Sequence, residues 1–322
     1  MRILALVPGG IGDQILFFPV LDDLKQSYPE SQIDVIVEPR SKGAYRVCKS
    51  VQDVLTYDFK DANSLADWGN LLGIMRDREY EAVISLGQRW TVGLLLWLTG
   101  IPKRVGYAGN GGIFLTDPIP LKTEQYAAQM YHDLLQGMDS VTPFRGISIN
   151  VPKADIDWAE AEQKRLGVAE SGYILIHGGS STLAQTKGIE KIYPAIGWQE
   201  IITELQQKQP NLPVVVVKGP EDGTWVSEIT QLYPDVKIVM PGDVGKLAAI
   251  IAAANLMLCT DSAPMHLAVA VGTYTIALFG PTEPDKLLPK SDRVIAIKSA
   301  TGKMADISPQ EVLKKIWGGD GA

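Results

Sequence analysis

Short runs of β-branched and other apolar residues alternate with longer amphipathic segments along this chain, and the series runs through twice. Residues 3–7, 33–37 and 82–86 read as buried strands, and residues 13–27, 64–78 and 91–99 as helices, with Pro19 expected to kink the first of them. After a polar connection around residues 151–157 the pattern resumes. Strands are expected at 173–177, 213–218, 237–239, 256–260, 274–279 and 293–297, and helices at 195–207, 224–232, 246–254 and 264–271. A last helix covers residues 308–317, where Ser308 and Glu311 have the spacing of a capping box. Alternation of this kind implies parallel sheets covered by helices on both faces. The expected class is therefore α/β, with two Rossmann-like domains over residues 1–154 and 155–322 and a cleft between them.

Composition excludes several functions. The 322 residues carry a formal net charge of −7, and neither half is basic, which argues against sequence-independent nucleic-acid binding. Cys48 and Cys259 form no disulfide framework and no zinc-type spacing. The apolar run before Pro8 is too short for a signal peptide. The longest nearly apolar stretch, residues 247–259, is interrupted by Asn255 and falls short of the roughly 18–20 residues that span a bilayer. A cytoplasmic protein is expected, with any membrane contact peripheral.

Four segments carry candidate chemistry. Residues 261–284 open on Asp261 and Ser262, just past the apolar run 256–260, at the strand end where open α/β sheets place ligands. Asp261 or Ser262 can cap the helix that follows. Its free N–H groups and dipole favour an anion, and His266 in its first turn can donate a hydrogen bond to a phosphate oxygen. Residues 8–15 place Gly9, Gly10 and Gly12 around a tight turn after the first strand, with Asp13 at the start of a helix. A carboxylate there is stabilised as the anion and is available as a general base; the alternative is a plain helix cap. The spacing differs from the dinucleotide fingerprint, whose acidic partner would be Asp34 or Glu38. Residues 177–194 offer Ser180 and Ser181 as oxyanion donors and Lys187 and Lys191 as cations, although a solvated polar loop has the same composition. Residues 218–223 offer Glu221 or Asp222 to a ribose diol, or form an ordinary turn.

Taken together, Gly-Gly-x-Gly-Asp after the first strand, the His-x-Gly loop leading to Lys191 and Tyr193-Pro194, Asp261-Ser262 with His266, and the Phe-Gly-Pro-Thr-Glu-Pro run resemble glycosyltransferase family 9. That is the ADP-heptose:lipopolysaccharide heptosyltransferase group. Residues 103–109, KRVGYAG, match it as well, so the resemblance spans nearly the whole chain. It implies a GT-B architecture, with the acceptor held by the first domain, the nucleotide-sugar by the second, and inverting transfer without a metal ion or other cofactor. It also implies roles. Asp13 would deprotonate the acceptor hydroxyl, and Lys191 would contact the donor diphosphate or sugar. Glu221 would meet the nucleoside, Asp261 the transferred sugar or its phosphates, and Ser262 and His266 the diphosphate. The donor implied is an ADP-sugar and the acceptor an anionic glycolipid or glycan, reached at the inner face of the inner membrane. Ala263 stands where that family has glycine, a loss that narrows the approach of a sugar; with Ile192 where histidine is common and Tyr193 where tryptophan is usual, the phosphate site is kept while the identity of the sugar as heptose is left open. Arg40, Lys42 and Arg104, each after or near a strand of the first domain, are candidates for an anionic acceptor. Trp90, Trp97 and Trp68 can stack on sugars or touch a membrane, with core packing expected for Trp97. Two alternatives stand beside transfer: a nucleotide-sugar 2-epimerase of the same fold, and a non-catalytic nucleotide-sugar-binding protein.

Overall fold

The computed structural model describes residues 1–59, 64–140, 142–179 and 188–318. The chain divides into two compact units, Met1–Asn150 and Val151–Ala322.

In the first unit the strands are β1 (Arg2–Val7), β2 (Gln32–Val37), β3 (Asp53–Thr56), β4 (Ala82–Ser85), β5 (Lys103–Tyr107) and β6 (Asp117–Ile119). The helices are α1 (Ile11–Ser27), α2 (Leu65–Asp77), α3 (Trp90–Thr99) and α4 (Ala127–His132). All strand pairs are parallel, in the order β3-β2-β1-β4-β5-β6. β1 reads as an unbroken apolar run because helices cover both faces of the sheet, and residues 3–7 are fully buried. Helix α1 continues through Pro19. Helix α4 is tied to it where His132 Nε2 meets Asp23 Oδ2 at 2.7 Å, with the Thr142 hydroxyl donating to the same oxygen at 2.9 Å.

The second unit begins with helix α5 (Lys153–Leu166), which starts inside the segment read as a polar connection. Its strands are β7 (Ile174–His177), β8 (Val214–Val217), β9 (Lys237–Val239), β10 (Leu256–Thr260), β11 (Thr275–Phe279) and β12 (Val294–Lys298). Between them lie α6 (Ala195–Lys208), α7 (Gly223–Leu232), α8 (Val244–Ala252), α9 (Ala263–Val271) and α10 (Pro284–Leu287), and α11 (Pro309–Ile316) closes the unit. The order is β12-β11-β10-β7-β8-β9, again all parallel. Counted from its own first strand, this is the strand order of the first unit. The core gathers Trp198, Trp225 and Tyr193 with the aliphatic faces of β7, β8, β10 and β11. The Tyr193 hydroxyl donates to the Ile307 carbonyl at 2.8 Å, fixing the chain ahead of α6 against the start of α11.

Both sheets are thus α/β and doubly wound, as the alternation predicts. The strand order reverses between β1 and β4 in one unit and between β7 and β10 in the other, and ligand sites of such sheets open at the C-terminal ends of those strands.

Candidate functional site

At the first switch point the chain turns from β1 through residues 8–10 into α1. Gly9 has φ of +135°, a conformation open to glycine, and a Cβ built there would lie 2.4 Å from Asp13 Oδ2. Gly10 is the N-cap, Gly12 lies in the first turn, and Asp13 is the third helical residue. Asp13 therefore does not cap by position. Its carboxylate reaches back and Oδ2 accepts the Gly10 N–H at 2.7 Å. Oδ1 accepts the Tyr131 hydroxyl at 3.3 Å, from α4. Burial, with the Asp13 charge beside it, raises the Tyr131 phenol far above its ordinary value, so it stays a donor. Oδ2 is thus anchored, while Oδ1 carries only a long bond.

The loop itself is pinned from behind. The Ser41 hydroxyl donates to the Gly9 carbonyl at 2.6 Å, and the buried Gln14 amide donates to the Val7 carbonyl at 3.0 Å while accepting from the Tyr45 hydroxyl at 2.8 Å. Ser41 lies in the run of 3-10 turns Pro39–Val47, which also carries Arg40 and Lys42, both exposed. A Cβ on Gly10 would lie 3.9 Å from Arg40 Nη2, so this guanidinium sits at the glycine loop. Arg104 is elsewhere. It pairs with Val83, which is level with Leu4, three residues short of the ligand-bearing end of β1. Its guanidinium donates to the carbonyls of Phe114 at 2.9 Å and Ile101 at 2.6 Å, a structural clamp far along the strand from Asp13. Asp34 likewise lies within β2, holding Arg78 at 2.9 Å and the Tyr80 hydroxyl at 2.8 Å, and is not at a ribose-binding strand end.

At the second switch point three strand ends are tied together. His177, the last residue of β7, places Nε2 3.2 Å from Asp222 Oδ2 and Nδ1 3.2 Å from the Ser262 hydroxyl. Asp222 also accepts the Gly219 N–H at 2.7 Å. Burial works against its charge, but the His177 hydrogen bond and charge, with that N–H, hold its carboxyl below the usual range. Asp222 is 6% exposed and spent on this network, leaving the exposed Glu221 beside it as the acidic group of the turn. The Thr260 hydroxyl donates to the Gly179 carbonyl at 3.0 Å, fastening the glycine loop to β10. Gly178 and Gly179 are dictated by packing: a Cβ on the first would lie 2.4 Å from the Trp225 ring and on the second 1.8 Å from Asp222 Oδ1. Ser180, Ser181 and Lys187 lie outside the described residues.

Helix α9 starts here. Ser262 is its N-cap, with its hydroxyl turned to His177 and the Thr260 carbonyl instead of to the helix amides. Pro264 has no N–H and the Met265 N–H donates to the Ser262 carbonyl at 3.1 Å, so the Ala263 N–H is what the first turn offers a ligand or solvent. His266 lies one turn further on and is buried. Lys191 Nζ donates to Asp261 Oδ2 at 2.6 Å, and the Thr282 hydroxyl donates to the same oxygen at 2.7 Å. The turn bearing Thr282 is held by Lys298 of β12, whose ammonium donates to the carbonyls of Gly280 and Thr282, each at 2.8 Å. The structure thus brings Lys191, Asp261 and Ser262 together at the start of α9, with Glu221 on the neighbouring turn after β8. Sequence reasoning missed Tyr131, the His177–Asp222 pair, Thr282 and Lys298. Three of them carried a signal: His177 ends a strand directly before two glycines, Asp222 lies in the acidic turn 218–223, and Thr282 in the Phe-Gly-Pro-Thr-Glu-Pro run.

A helix N-terminus with an adjacent lysine is suited to a phosphate, and an anchored carboxylate on a second sheet is suited to accepting a proton. Trp97, expected in the core, is instead 54% exposed.

A family model for glycosyltransferase family 9 (heptosyltransferase) matches residues 69–317. The chain is 26% identical over 336 residues to photosynthetic NDH subunit of subcomplex B 1, chloroplastic, of Arabidopsis thaliana, covering 95% of this chain and 71% of that one. It is 25% identical over 303 residues to lipopolysaccharide heptosyltransferase 3 of Escherichia coli, covering 88% of this chain and 85% of that one. Its fold superposes on the structure of E. coli ADP-heptose lps heptosyltransferase II with a TM-score of 0.79 at 20% identity, over 99% of this chain and 98% of the other. No described helix is long and apolar enough to cross a membrane.

Proposed function

The chain belongs to glycosyltransferase family 9, and on that premise we propose that it transfers a heptose or related sugar from an ADP-sugar to an anionic lipopolysaccharide-type acceptor, with inversion and without a metal ion. The observation that carries this reading is the meeting of Lys191, Asp261 and the α9 N-terminus at the second switch point.

Breaking a sugar–phosphate bond leaves negative charge on the departing diphosphate while positive charge gathers on the anomeric carbon. Without a metal, positioned donors must absorb the first charge. The Ala263 N–H at the start of α9, the Lys191 ammonium, Ser262 and His266 supply them in this reading. Asp261, itself held by the Thr282 hydroxyl, keeps the ammonium in place before the donor arrives, and offers an acceptor to a sugar hydroxyl once it has. Glu221 faces the nucleoside from the turn after β8. On the acceptor side Asp13 takes the proton of the attacking hydroxyl through Oδ1, while the Gly10 N–H keeps the carboxylate aimed; Arg40 and Lys42 attract acceptor phosphates. Attack from the side of the base, opposite the leaving diphosphate, inverts the anomeric centre. A base so placed contributes about 10²–10⁴ in rate.

Support for the ADP-sugar comes from the E. coli ADP-heptose enzyme that shares the fold, and for the acceptor from the lipopolysaccharide transferase related in sequence. A calorimetric panel of ADP, GDP, UDP, dTDP and CDP, followed by a transfer assay with the matching sugar nucleotide, tests the reading. ADP should bind in preference to the rest; failure of all five nucleotides would sink it.

A second reading has its own observation. The Arabidopsis relative, which covers most of this chain, is named as a subunit of a larger assembly. A subunit role without transfer would keep the fold and leave nucleotide-sugar turnover absent, an outcome that the same assay reads directly.

A further inference from the structure

Helix α3 is apolar on every side. Its inner face places Leu95 and Leu96 in the core with Leu71 and Met75 of α2 and with Leu4, Leu6 and Val83 of the sheet. Its outer face leaves Trp90 55%, Trp97 54% and Leu98 37% exposed. Trp90 and Trp97, seven residues apart, share a side of the helix. The apolar surface continues past the helix to Phe114, whose ring lies 6.4 Å from that of Trp97, and to Ile113, 84% exposed. Gly93 and Gly111 let these two segments touch: a Cβ on Gly93 would lie 2.5 Å from the Gly111 carbonyl oxygen. Helices apolar all round are buried or belong to membranes, yet this one has 10 residues and is too short to cross.

Charge says what covers it. In a chain with 37 acidic residues, residues 82–116 contain no Asp or Glu, whereas Arg89 and Arg104 fall within them, as does Lys103, which is paired with Asp139. Arg89 precedes α3 and is exposed. Arg104 is clamped to the Phe114 carbonyl, beside Ile113. Arg76 of α2 donates to the Leu98 carbonyl and brings a further exposed cation to the C-terminal end of α3. Tryptophans rimmed by Arg76, Arg89 and Arg104 match an interface with anionic headgroups. A second copy is disfavoured, because a two-fold pairing would set these arginines against themselves.

We infer that the outer face of α3, together with Ile113 and Phe114, docks the protein on an anionic lipid surface. Helix α3 starts at the C-terminal edge of the first sheet, where β4 ends beside β1, and Asp13 lies beyond the same edge. Docking therefore brings that edge towards the headgroups, where a lipid-linked hydroxyl would present itself if the transfer reading holds.

The test is flotation of the full-length protein with vesicles of phosphatidylcholine alone or mixed equally with phosphatidylglycerol. No sugar nucleotide is present, so the result is independent of transfer. The wild type should float with the mixed vesicles, and its tryptophan emission should be quenched by brominated lipid. The double variant Trp90→Ser/Trp97→Ser should lose partitioning by about tenfold or more. Arg89→Glu, which leaves the apolar face intact, should lose about fivefold and lose it less in high salt. An absence of flotation and quenching in the wild type would overturn the inference, as would unchanged partitioning of both variants. A wild-type dimer that becomes a monomer in the tryptophan variant, without vesicle binding, would assign the face to a second copy and overturn it equally.

Discussion

The two units share one strand order, yet the chemistry at their switch points is opposite. In the first, the glycine loop after β1 folds onto a carboxylate in the opening turn of its own helix, and the helix after β4 begins with Arg89 and Trp90. In the second, the glycine loop after β7 folds onto Asp222 and buried tryptophans. There the helix after β10 starts beside Asp261, whose carboxylate holds Lys191. The same backbone scaffold thus sets a carboxylate in the first helical turn on one sheet and a lysine–carboxylate pair at the helix start on the other. The difference comes from the few side chains in the first helical turn and from what the loop packs upon.

The largest expected effect separates the two directly. Asp13→Ala should lower turnover by about 10²–10⁴ while ADP affinity, measured by calorimetry, stays within a few fold. A comparable loss of ADP affinity would erase the division of labour between the sheets. Lys191→Ala should do the reverse and weaken ADP binding by about ten- to a hundredfold, the value of one charge-assisted hydrogen bond. Were ADP to bind the variant as tightly as the wild type, the anion site would have to lie elsewhere.

Glycine substitutions sharpen the contrast between the loops. Gly179→Ala, whose Cβ would sit 1.8 Å from Asp222 Oδ1, should lower unfolding free energy in urea by about 1–3 kcal/mol. Gly10→Ala, whose nearest neighbour would be 3.8 Å away, should cost far less. Equal costs would mean that packing does not distinguish the loops. The smallest effect concerns pH. The Asp222 carboxyl is held below its ordinary value in the folded protein, so its contribution is present above the unfolded pKa of about 3.9 and is lost as pH falls through the lower, folded value. Thermal midpoints of Asp222→Asn, set against the wild type, should therefore differ most near neutrality and converge in acid; a gap that persists there would give Asp222 a role other than its charge.

Much of this was legible before folding was considered. Strands 237–239 and 256–260 were read at their observed limits, the second as a fully buried interior strand and the first, at the sheet edge, from its short apolar run between turns. Strands β3, β5 and β6 were not read. β6 is a three-residue edge strand containing Pro118, tolerated there because an edge strand pairs on one side only. Helix α4 is six residues long and exists by tertiary anchorage, through His132 to Asp23, so no periodicity announces it. With it Tyr131, which donates to Asp13, went unseen. Trp97 looked like core within a run of leucines, since an apolar sequence does not tell which face of a helix meets the sheet.

The sequence by itself determined the class of fold, the two series of strands and the four segments that carry the chemistry, because alternation and glycine-rich strand ends are local properties. Tertiary structure alone decided the partners: Asp261 on Lys191, Asp222 on His177 and not on a ligand, Arg104 on carbonyls, and Tyr131 on Asp13. Except for the local clamp of Arg104, those pairings join residues tens of positions apart. Whether a charged side chain is spent on the fold or left for a substrate depends on what the packed sheet sets beside it, which spacing along the chain does not encode.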